Sequence, residues 1–563
     1  MRRIIAIVAG LYFLLVLFNG FVLVELFLRR VGIPILFAIA AGLACIGAGY
    51  LIRHLQSNIA LNFVVGYPIF GAICFLIGLL KISPWTMVPI VGILGGLGAM
   101  SLMGRTDENP SLKPFATVAL VFIGVAALIA AQAPPSTLDE LAYHLAVPWT
   151  WVKEGRAIDL PLVSHSYFPL GVESADLPFL AILGTGGGIA SHFLHLFAAI
   201  AVVVLLLRTT RECPILTVAI VATPALALTA GWSLVDWILL GVSLALVNAL
   251  ENDDPTMVTA AVAAGLLTKY TFIPLALIAI LATRKFRGVL SGLAIGSIFF
   301  IRNLILTGNP IAPFLGSLAP HVAHYRAGAY LSNYIFDGHF IDESLGASLL
   351  IASTLTAGLL PWILLATGVL LFFLAPSARL LIPFFAVPAA RALPPSRPVR
   401  VLLAIAIVMQ LFLLAFFTDR TQAFALLSGR LDDAKYLGEV RPSTTTITAV
   451  DSILPPNSRT LVIGLSETYW FQHRVRGGGN FDGPRVSAYL DAGSVDALYT
   501  RLRRDGITHV AVVAAPAPTA VASKVEERGT ALSSNAQRML SLTLDRYAST
   551  VTQRENATLF ALR

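Results

Sequence analysis

Cysteine and charge are both scarce in this chain of 563 residues. It contains only three cysteines, and none forms a CxxC pair, which excludes a disulfide framework or a thiolate zinc site as the basis of the fold. Charged residues make up 12% of the chain, about half the share usual in soluble proteins. Apolar residues make up 57%. This composition excludes an ordinary soluble enzyme and is typical of a protein that lies mostly in a lipid bilayer.

The charges that are present are unevenly distributed. Residues 419–563 carry 31 of the 70 charged side chains, although they form only the last quarter of the chain. The formal net charge is +8, but Lys and Arg occur in short clusters between apolar runs rather than in one long basic tract. We therefore expect a membrane region followed by a water-soluble domain, and no binding of nucleic acid.

Apolar runs of about 20 residues predict a polytopic α-helical membrane protein with about 13 transmembrane helices. The predicted spans are 4–28, 33–52, 59–80, 84–103, 115–132, 179–207, 214–230, 233–250, 257–269, 271–283, 288–304, 346–373 and 400–418. The positive-inside rule, applied to the short loops, places the loops 133–178 and 305–345 on the outer side. We predict three parts: extra N-terminal helices in 1–114, a membrane region in 115–418, and an external domain in 419–563. An apolar fragment at 380–390 has no place in this scheme.

The last 145 residues have the pattern of an α/β domain. Short apolar runs at 459–465 and 508–513 predict buried strands, and an amphipathic run at 495–504 predicts a helix between them. A final pair of strands is predicted at 548–554 and 557–562. Together these segments predict a β-α-β unit followed by a hairpin.

The first polar loop brings several ionisable side chains to the membrane surface. Asp139 and Glu140 are adjacent, and Tyr143 and His144 follow four residues after each of them. If 138–154 is helical, Glu140 and His144 stack on one face, beside Asp139 and Tyr143 on the neighbouring face. Two interpretations stay open: a surface helix whose acids complement its dipole, or a reaction site built on a carboxylate.

Other ionisable residues lie in or beside apolar runs. Glu173 precedes a predicted span. It is either a solvated residue at the start of a helix or a site residue that faces a cavity. His192 and His195 have no third ligand at a fixed spacing, so we interpret them as packed or hydrogen-bonded histidines. Lys269 lies between two short spans, where it either snorkels or meets an anion. Arg302, at the outer end of a span, suits a lipid headgroup or a phosphate.

The order of four segments resembles that of the bacterial GT-C glycosyltransferases. This group includes protein O-mannosyltransferases, the lipid A aminoarabinose transferase and the lipopolysaccharide-core galacturonosyltransferases. The segments are TLDELAYHLAVP at 137–148, YFP at 167–169 with Glu173, GLLTKY at 265–270, and Arg302-Asn303 followed by GNP at 308–310. The resemblance spans roughly residues 115–440 and implies a GT-C-like membrane fold with an external C-terminal domain.

Members of this group transfer a sugar from a polyprenyl-phosphate donor to an acceptor on the outer face of the bacterial cytoplasmic membrane. The resemblance implies catalytic roles for Asp139, as the general base, and for Glu140. It implies that the lipid phosphate is held by Lys269, Arg302 and Asn303. It implies that the sugar or the acceptor is contacted by Tyr143, His144, Glu173 and Tyr270.

The resemblance further implies a single displacement with inversion, a hydroxyl acceptor in the cell envelope (lipid, glycan or protein), and no certain cofactor. A divalent metal beside Asp139 and Glu140 is compatible with their chemistry. Two features depart from the group: four predicted spans precede the matching region, and Ala378-Arg379-Leu380 replaces an Arg-Tyr pair, which leaves the role of Arg379 open. The alternatives are a transporter or flippase of lipid-linked saccharides and a noncatalytic assembly or sensor protein. Transport is less favoured, because the acids cluster in an external loop and no internal repeat is present.

Overall fold

Long stretches without charged residues form most of the helices before residue 420. The computed structural model describes residues 28–53, 58–102, 113–210, 213–282, 286–314, 345–374, 378–478, 482–513, 532–554 and 556–563. Its helices in the apolar region are α1 (Ile33–Arg53), α2 (Ile59–Gly78), α3 (Pro84–Leu102), α4 (Pro114–Ala131), α5 (Ala146–Glu154), α6 (Leu177–Leu183), α7 (Gly187–Thr209), α8 (Pro214–Val221), α9 (Pro224–Ala227), α10 (Asp236–Glu251), α11 (Pro255–Thr268), α12 (Ile273–Ala282), α13 (Phe286–Gly296), α14 (Ile298–Thr307), α15 (Gly346–Thr354), α16 (Leu359–Leu374), α17 (Ala378–Ala390) and α18 (Arg397–Arg420).

The protein is mostly helical, and six helical segments among its described residues are long and apolar enough to cross a membrane. These are Leu28–Ile52, Ile59–Gly78, Pro84–Leu102, Pro114–Ala131, Glu173–Thr209 and Arg397–Asp419. Two bent pairs, α8 with the 224–231 segment and α13 with α14, raise this to eight if each pair is one span. The predicted number of 13 is not confirmed, since several apolar runs form helices too short to cross alone.

Three predictions about individual spans have different outcomes. The predicted first span, 4–28, lies almost wholly outside the described residues. The run 346–373, predicted as one span, forms two helices, α15 and α16, with Gly358 between them at a φ of 91°. That backbone conformation is one that glycine adopts at no steric cost and that no α-helix contains. The unplaced fragment 380–390 belongs to α17.

The helices α1, α2 and α3 pack against one another through glycine. A Cβ atom at Gly47 would lie 1.9 Å from the carbonyl oxygen of Leu94, and one at Gly66 would lie 1.9 Å from that of Cys45. Such backbone-to-backbone contact is the usual way in which apolar helices associate in lipid. The next glycine in α2 extends this contact toward the polar loop, because a Cβ at Gly71 would lie 1.6 Å from the carbonyl oxygen of Gly171.

The C-terminal region forms a mixed sheet covered by helices. Its elements are α19 (Ala423–Leu427), α20 (Asp433–Val440), α21 (Ser443–Asp451), β1 (Arg459–Ile463), β2 (Arg474–Gly477), α22 (Gly483–Leu490), α23 (Val495–Arg504), β3 (His509–Val513), α24 (Ser534–Tyr547), β4 (Ala548–Arg554) and β5 (Ala557–Leu562). The strand order is β2-β1-β3-β5-β4, with β1 parallel to both neighbours and β5 antiparallel to both of its own. The predicted strands, helix and final hairpin are confirmed. Strand β2 was not predicted, because it is only four residues long and includes two arginines.

One end of the helical region lies against this C-terminal domain. Arg30, just before α1, forms an ion pair with Asp433 of α20. On the loop after α2, the N–H of Ile82 donates to the carbonyl of Gly155 at 2.7 Å, and Gly155 follows α5. The start of α1, the end of α2, the polar loop and the C-terminal domain are therefore close together, and the candidate site lies among them.

Candidate active site

The polar loop contains a local irregularity at the two adjacent acids. The predicted helix over 138–154 is present in two parts: a π-helical turn at Glu140–His144, and then α5. In the π turn, backbone hydrogen bonds span five residues rather than four, a geometry that is frequent at functional sites. Glu140 and His144 therefore point to different partners instead of to each other.

A chain of alternating charges begins at Asp139. Arg379 donates from Nη1 to Asp139 Oδ2 and from Nε to Asp236 Oδ2, both at 2.9 Å. The Nζ of Lys269 lies 3.2 Å from the other oxygen of Asp236. Four side chains from the polar loop, α17, α10 and the end of α11 thus form one connected ionic group, which we call the charge chain. Its members are Asp139, Arg379, Asp236 and Lys269.

Helix ends explain why these charges sit where they do. Asp236 is the first residue of α10, and Lys269 directly follows the last residue of α11. An acid at a helix N-terminus and a base at a C-terminus both interact favourably with the helix dipole. Arg379 lies in the first turn of α17, where a cation is unfavourable, and its two carboxylate partners offset that cost.

Solvent exposure differs among the four members of the charge chain and is greatest at Asp139. The side chain of Asp236 is 0% exposed, those of Arg379 and Lys269 are 7% and 12% exposed, and that of Asp139 is 29% exposed. Two positive and two negative charges neutralise each other, which makes burial of the inner members tolerable. Among the four side chains, that of Asp139 is the one left partly exposed.

Glu140 has a different environment, although it is the next residue. Its Oε1 accepts from the N–H of Ser233 and is paired with His192 Nε2, each at 2.7 Å. Its Oε2 accepts from the backbone N–H and the hydroxyl of Thr137, at 3.1 and 2.8 Å. Burial by itself raises the pKa of Glu140, but the charge and hydrogen bond of His192, with those of Ser233 and Thr137, lower it to about 2. This ionised carboxylate has four polar partners and ties the loop to α7 and to the residues before α10.

The remaining loop residues form a histidine and aromatic layer. The Nδ1 of His144 lies 2.8 Å from Glu173 Oε1, and both side chains are buried. Burial, and after it the charges of Lys269 and Arg379, lowers the pKa of His144, so its ring is neutral at neutral pH. Tyr143 stacks on the ring of His165, with ring centroids 4.4 Å apart. Beyond His165, the aromatic layer consists of Phe168, Tyr270 and Phe314.

Arg302, Asn303 and Tyr270 form a second group, around the backbone of Ser166 and Tyr167. Arg302 donates from Nη1 to the Ser166 carbonyl at 2.7 Å, and Asn303 donates from Nδ2 to the Tyr167 carbonyl at 2.6 Å. The hydroxyl of Tyr270 accepts from Asn303 Nδ2 and lies 2.9 Å from the same Tyr167 carbonyl. The Arg302 guanidinium lies over three aromatic rings, those of Phe75, Trp151 and Tyr167. In this structure these residues hold the loop.

The structure therefore divides the predicted site residues into groups. Asp139 and Lys269 belong to the charge chain, Glu140 is bound to α7, Tyr143, His144 and Glu173 form a layer beside them, and Arg302, Asn303 and Tyr270 contact the loop backbone. The interpretation of the two histidines is confirmed: His192 bonds Glu140, and the Nδ1 of His195 lies 3.2 Å from the hydroxyl of Tyr67 in α2. Among the residues that the structure describes, no group of three or more His, Cys, Asp or Glu is arranged to hold a metal ion.

Asp236 is not among the predicted site residues, and the motif pattern leaves the role of Arg379 open. Each is a lone charge beside a long apolar run, and an ionisable residue in such a position is a functional-site candidate by default. That signal was present for Asp236, which lies between Trp232 and the apolar residues of α10. Its partners, 33 and 143 positions away, were not visible from the sequence pattern.

Comparisons with known proteins give matches among solved structures. The chain is similar to ArnT from Cupriavidus metallidurans bound to undecaprenyl phosphate, and to the same protein in the apo state. In each case the identity is 15%, the TM-score is 0.46, and the match covers 79% of this chain and 97% of the other. No protein-family model matches the chain, and neither does any curated protein.

Proposed function

We propose that this protein is a membrane glycosyltransferase that moves a sugar from a polyprenyl-phosphate donor to a hydroxyl group of an envelope acceptor. The observation that carries the proposal is the charge chain, in which a solvent-accessible carboxylate, Asp139, is joined through Arg379 to a buried anchor, Asp236, and to Lys269. A glycosyl transfer from a lipid phosphate needs a base for the acceptor and cations for the leaving group. The resemblance of the motifs supports the same assignment.

In the proposed reaction, Asp139 accepts the proton of the acceptor hydroxyl as its oxygen attacks the anomeric carbon. The bond from that carbon to the phosphate oxygen breaks, and the lipid phosphate leaves with the electron pair and one more negative charge. Attack from the opposite face inverts the anomeric centre. Glu140 has its oxygens occupied by four partners, so we assign it to holding the loop beneath Asp139 rather than to the proton transfer.

Arg379 couples these two events. In the resting state its Nη1 is bonded to Asp139. Once Asp139 is protonated, it no longer carries the charge that holds this guanidinium, at the moment when the phosphate becomes more negative. Arg379 and Lys269, both anchored by Asp236, then stabilise the leaving phosphate, an interaction that is stronger in the transition state than in the ground state.

The direct test is sugar transfer by the purified full-length protein in lipid nanodiscs. The donors are a panel of radiolabelled polyprenyl-phosphate sugars, the acceptor is a membrane extract, and Asp139→Asn is measured beside the wild type. Asp491→Asn, at an exposed carboxylate of the C-terminal domain, is the matched control. Transfer that is lost only in Asp139→Asn supports the proposal, whereas normal turnover in that variant overturns it. Binding without transfer, together with movement of the labelled lipid across vesicles, would instead favour a transporter.

We further propose that the site and the C-terminal domain face the outside of the bacterial cytoplasmic membrane. Two observations support one common side: the contact of the C-terminal domain with the polar loop, and the pairing of Arg30 with Asp433. The test is Asp491→Cys labelled with a membrane-impermeant maleimide in intact spheroplasts. Cys45 and Cys74 are buried, so a variant that also carries Cys213→Ser gives a low background. Labelling only after lysis would overturn the outward orientation.

A further inference from the structure

The π turn that follows Asp139 leaves one backbone carbonyl without its helical donor. In a regular α-helix, the N–H of Leu145 would donate to the carbonyl of Leu141, four residues earlier. In this structure it donates to the carbonyl of Glu140, five residues earlier, at 3.0 Å. The carbonyl of Leu141 is thereby released, and a buried carbonyl needs another partner.

The C-terminal domain supplies that partner. The backbone N–H groups of Thr468 and Tyr469, which lie between β1 and β2, both donate to the carbonyl of Leu141, at 2.9 and 3.2 Å. The ring of Tyr469 is fully buried in a cluster with Leu141 and Leu145, and its hydroxyl donates to the carbonyl of Thr185 at 2.6 Å. Two residues that are more than 300 positions away thus complete the hydrogen bonding of the turn that carries the acids.

Further contacts hold α5 to the same part of the domain. Trp149 donates from Nε1 to the carbonyl of Phe471 at 2.9 Å, and Lys153 donates from Nζ to that carbonyl and to the carbonyl of His473, at 2.8 and 2.9 Å. Glu154, whose side chain is 8% exposed, pairs with Arg476 and Arg459 at 3.0 and 2.8 Å. Separating a buried ion pair leaves buried charges without a partner, which is strongly destabilising. These contacts therefore favour one fixed arrangement of α5 against the C-terminal domain.

We infer that residues 468–476, named here the docking segment, position the candidate active site by holding the π turn. This inference rests on the proposed function. If the turn returned to regular α-helical hydrogen bonding, the residues before Leu141 would rotate by about 100° relative to α5, because one residue of a helix corresponds to that angle. Asp139 would then no longer meet Arg379. The C-terminal domain therefore contributes to the geometry of the site. The residues of the docking segment are positioning residues that act through Asp139.

The test compares Thr468→Pro, which removes the closer of the two N–H donors to the Leu141 carbonyl, with Thr468→Ala, which keeps both. For Thr468→Pro we expect kcat to fall about 30-fold while KM for the lipid donor changes less than about threefold, because the donor cations remain in place. Thr468→Ala is expected to stay within about threefold of the wild type. In an Asp139→Asn background, Thr468→Pro should cause no further loss, because both changes remove the same contribution. A full additional 30-fold loss there, or equal effects of the Pro and Ala variants, would overturn the inference.

A second measurement is independent of activity. Hydrogen–deuterium exchange should become faster at residues 140–146 in Thr468→Pro, but not in the sheet core at β1 and β3. Glu154→Gln, which weakens the pairs with Arg459 and Arg476 without a change of shape, should produce a smaller acceleration at the same residues. Unchanged exchange at 140–146 in both folded variants would refute the positioning role, even for a protein that transfers no sugar. Failure of the proposed function alone would leave the exchange result as expected and abolish only the kinetic one.

Discussion

Asp139 and Glu140 belong to two different ionic regions, and their carboxylates differ in solvent exposure and in the hydrogen bonds that they already accept. Asp139 is partly exposed and ends a chain of alternating charges. Glu140 is fully buried and accepts from Thr137 and Ser233 while paired with His192. In the proposed function, the peptide bond between the two acids therefore separates the proton acceptor, Asp139, from a structural anchor, Glu140. Adjacency in sequence therefore does not imply a shared role, since a carboxylate acts as a base only where it has free acceptor capacity and access to the acceptor hydroxyl.

The largest expected effect comes from removing the charge of the accessible acid. Asp139→Asn should lower the transfer rate by about 10³-fold or more, because general-base catalysis contributes roughly 10²–10⁴-fold and the partner of Arg379 is also lost. Expression and thermal unfolding of the protein should stay near the wild type, since the side chain is 29% exposed. Initial rates at saturating donor, with the unfolding midpoint measured in parallel, check this. If Asp139→Asn and Glu140→Gln lowered the transfer rate per folded molecule equally, the two acids would not have different roles.

The next largest effect is expected at Arg379, which in the proposed reaction links proton transfer to the leaving group. Arg379→Met keeps the length of the side chain but leaves Asp139 and Asp236 without their shared cation. We expect about a 10²-fold loss of kcat/KM, with a clear rise of KM for the lipid donor. Arg391→Met is the matched control. Arg391 follows the other end of α17 and pairs with Glu251, not with the carboxylates that Arg379 contacts. A loss of similar size in both variants would show that α17 matters only as a structural element.

Substitution of the anchored acid, Glu140, should lower the stability of the protein more than its transfer rate. Glu140→Gln removes a buried charge that is held by His192 and three hydrogen bonds, and we expect the free energy of unfolding to fall by about 3 kcal/mol. The rate per folded molecule should fall less than about tenfold. Glu439→Gln, at an exposed acid of the C-terminal domain, is the control and should be nearly neutral. Thermal unfolding in detergent, combined with activity normalised to folded protein, distinguishes the two kinds of effect.

The smallest expected effect is a pH dependence of the stability difference between the wild type and Glu140→Gln. The pKa of Glu140 is lowered to about 2 in the folded protein, from 4.5 ordinarily, so its contribution to stability is complete above about pH 4.5 and is lost as the pH falls toward 2. The stability gap between the wild type and Glu140→Gln should therefore be constant from pH 7 to pH 5 and narrow below it. Chemical unfolding midpoints across this range measure the gap. A gap that persists unchanged at pH 3 would contradict the proposed anchoring by charge.

Much of the architecture was readable from local pattern. Hydropathy predicted most of the long apolar helices before residue 420, although not their number as membrane spans. The short apolar runs predicted β1, β3 and the final hairpin, because each depends on neighbouring residues along the chain. The break in 346–373 was missed, since an apolar run has the same hydropathy whether or not Gly358 interrupts its helix. The acidic loop was found by its motif, and the roles within it stay predictions for the experiments above.

The tertiary structure alone decided how the charges are paired. Asp139 and Arg379 are 240 positions apart, and Arg379 and Asp236 are 143 apart, so no periodicity along the chain connects them. The same holds for Leu141, whose carbonyl is bonded by Thr468 and Tyr469. By itself, the sequence determined a helical membrane protein with an α/β tail, because composition and local periodicity follow from nearest neighbours. Which acid is open and which is anchored depends on contacts that exist only once distant helices have packed.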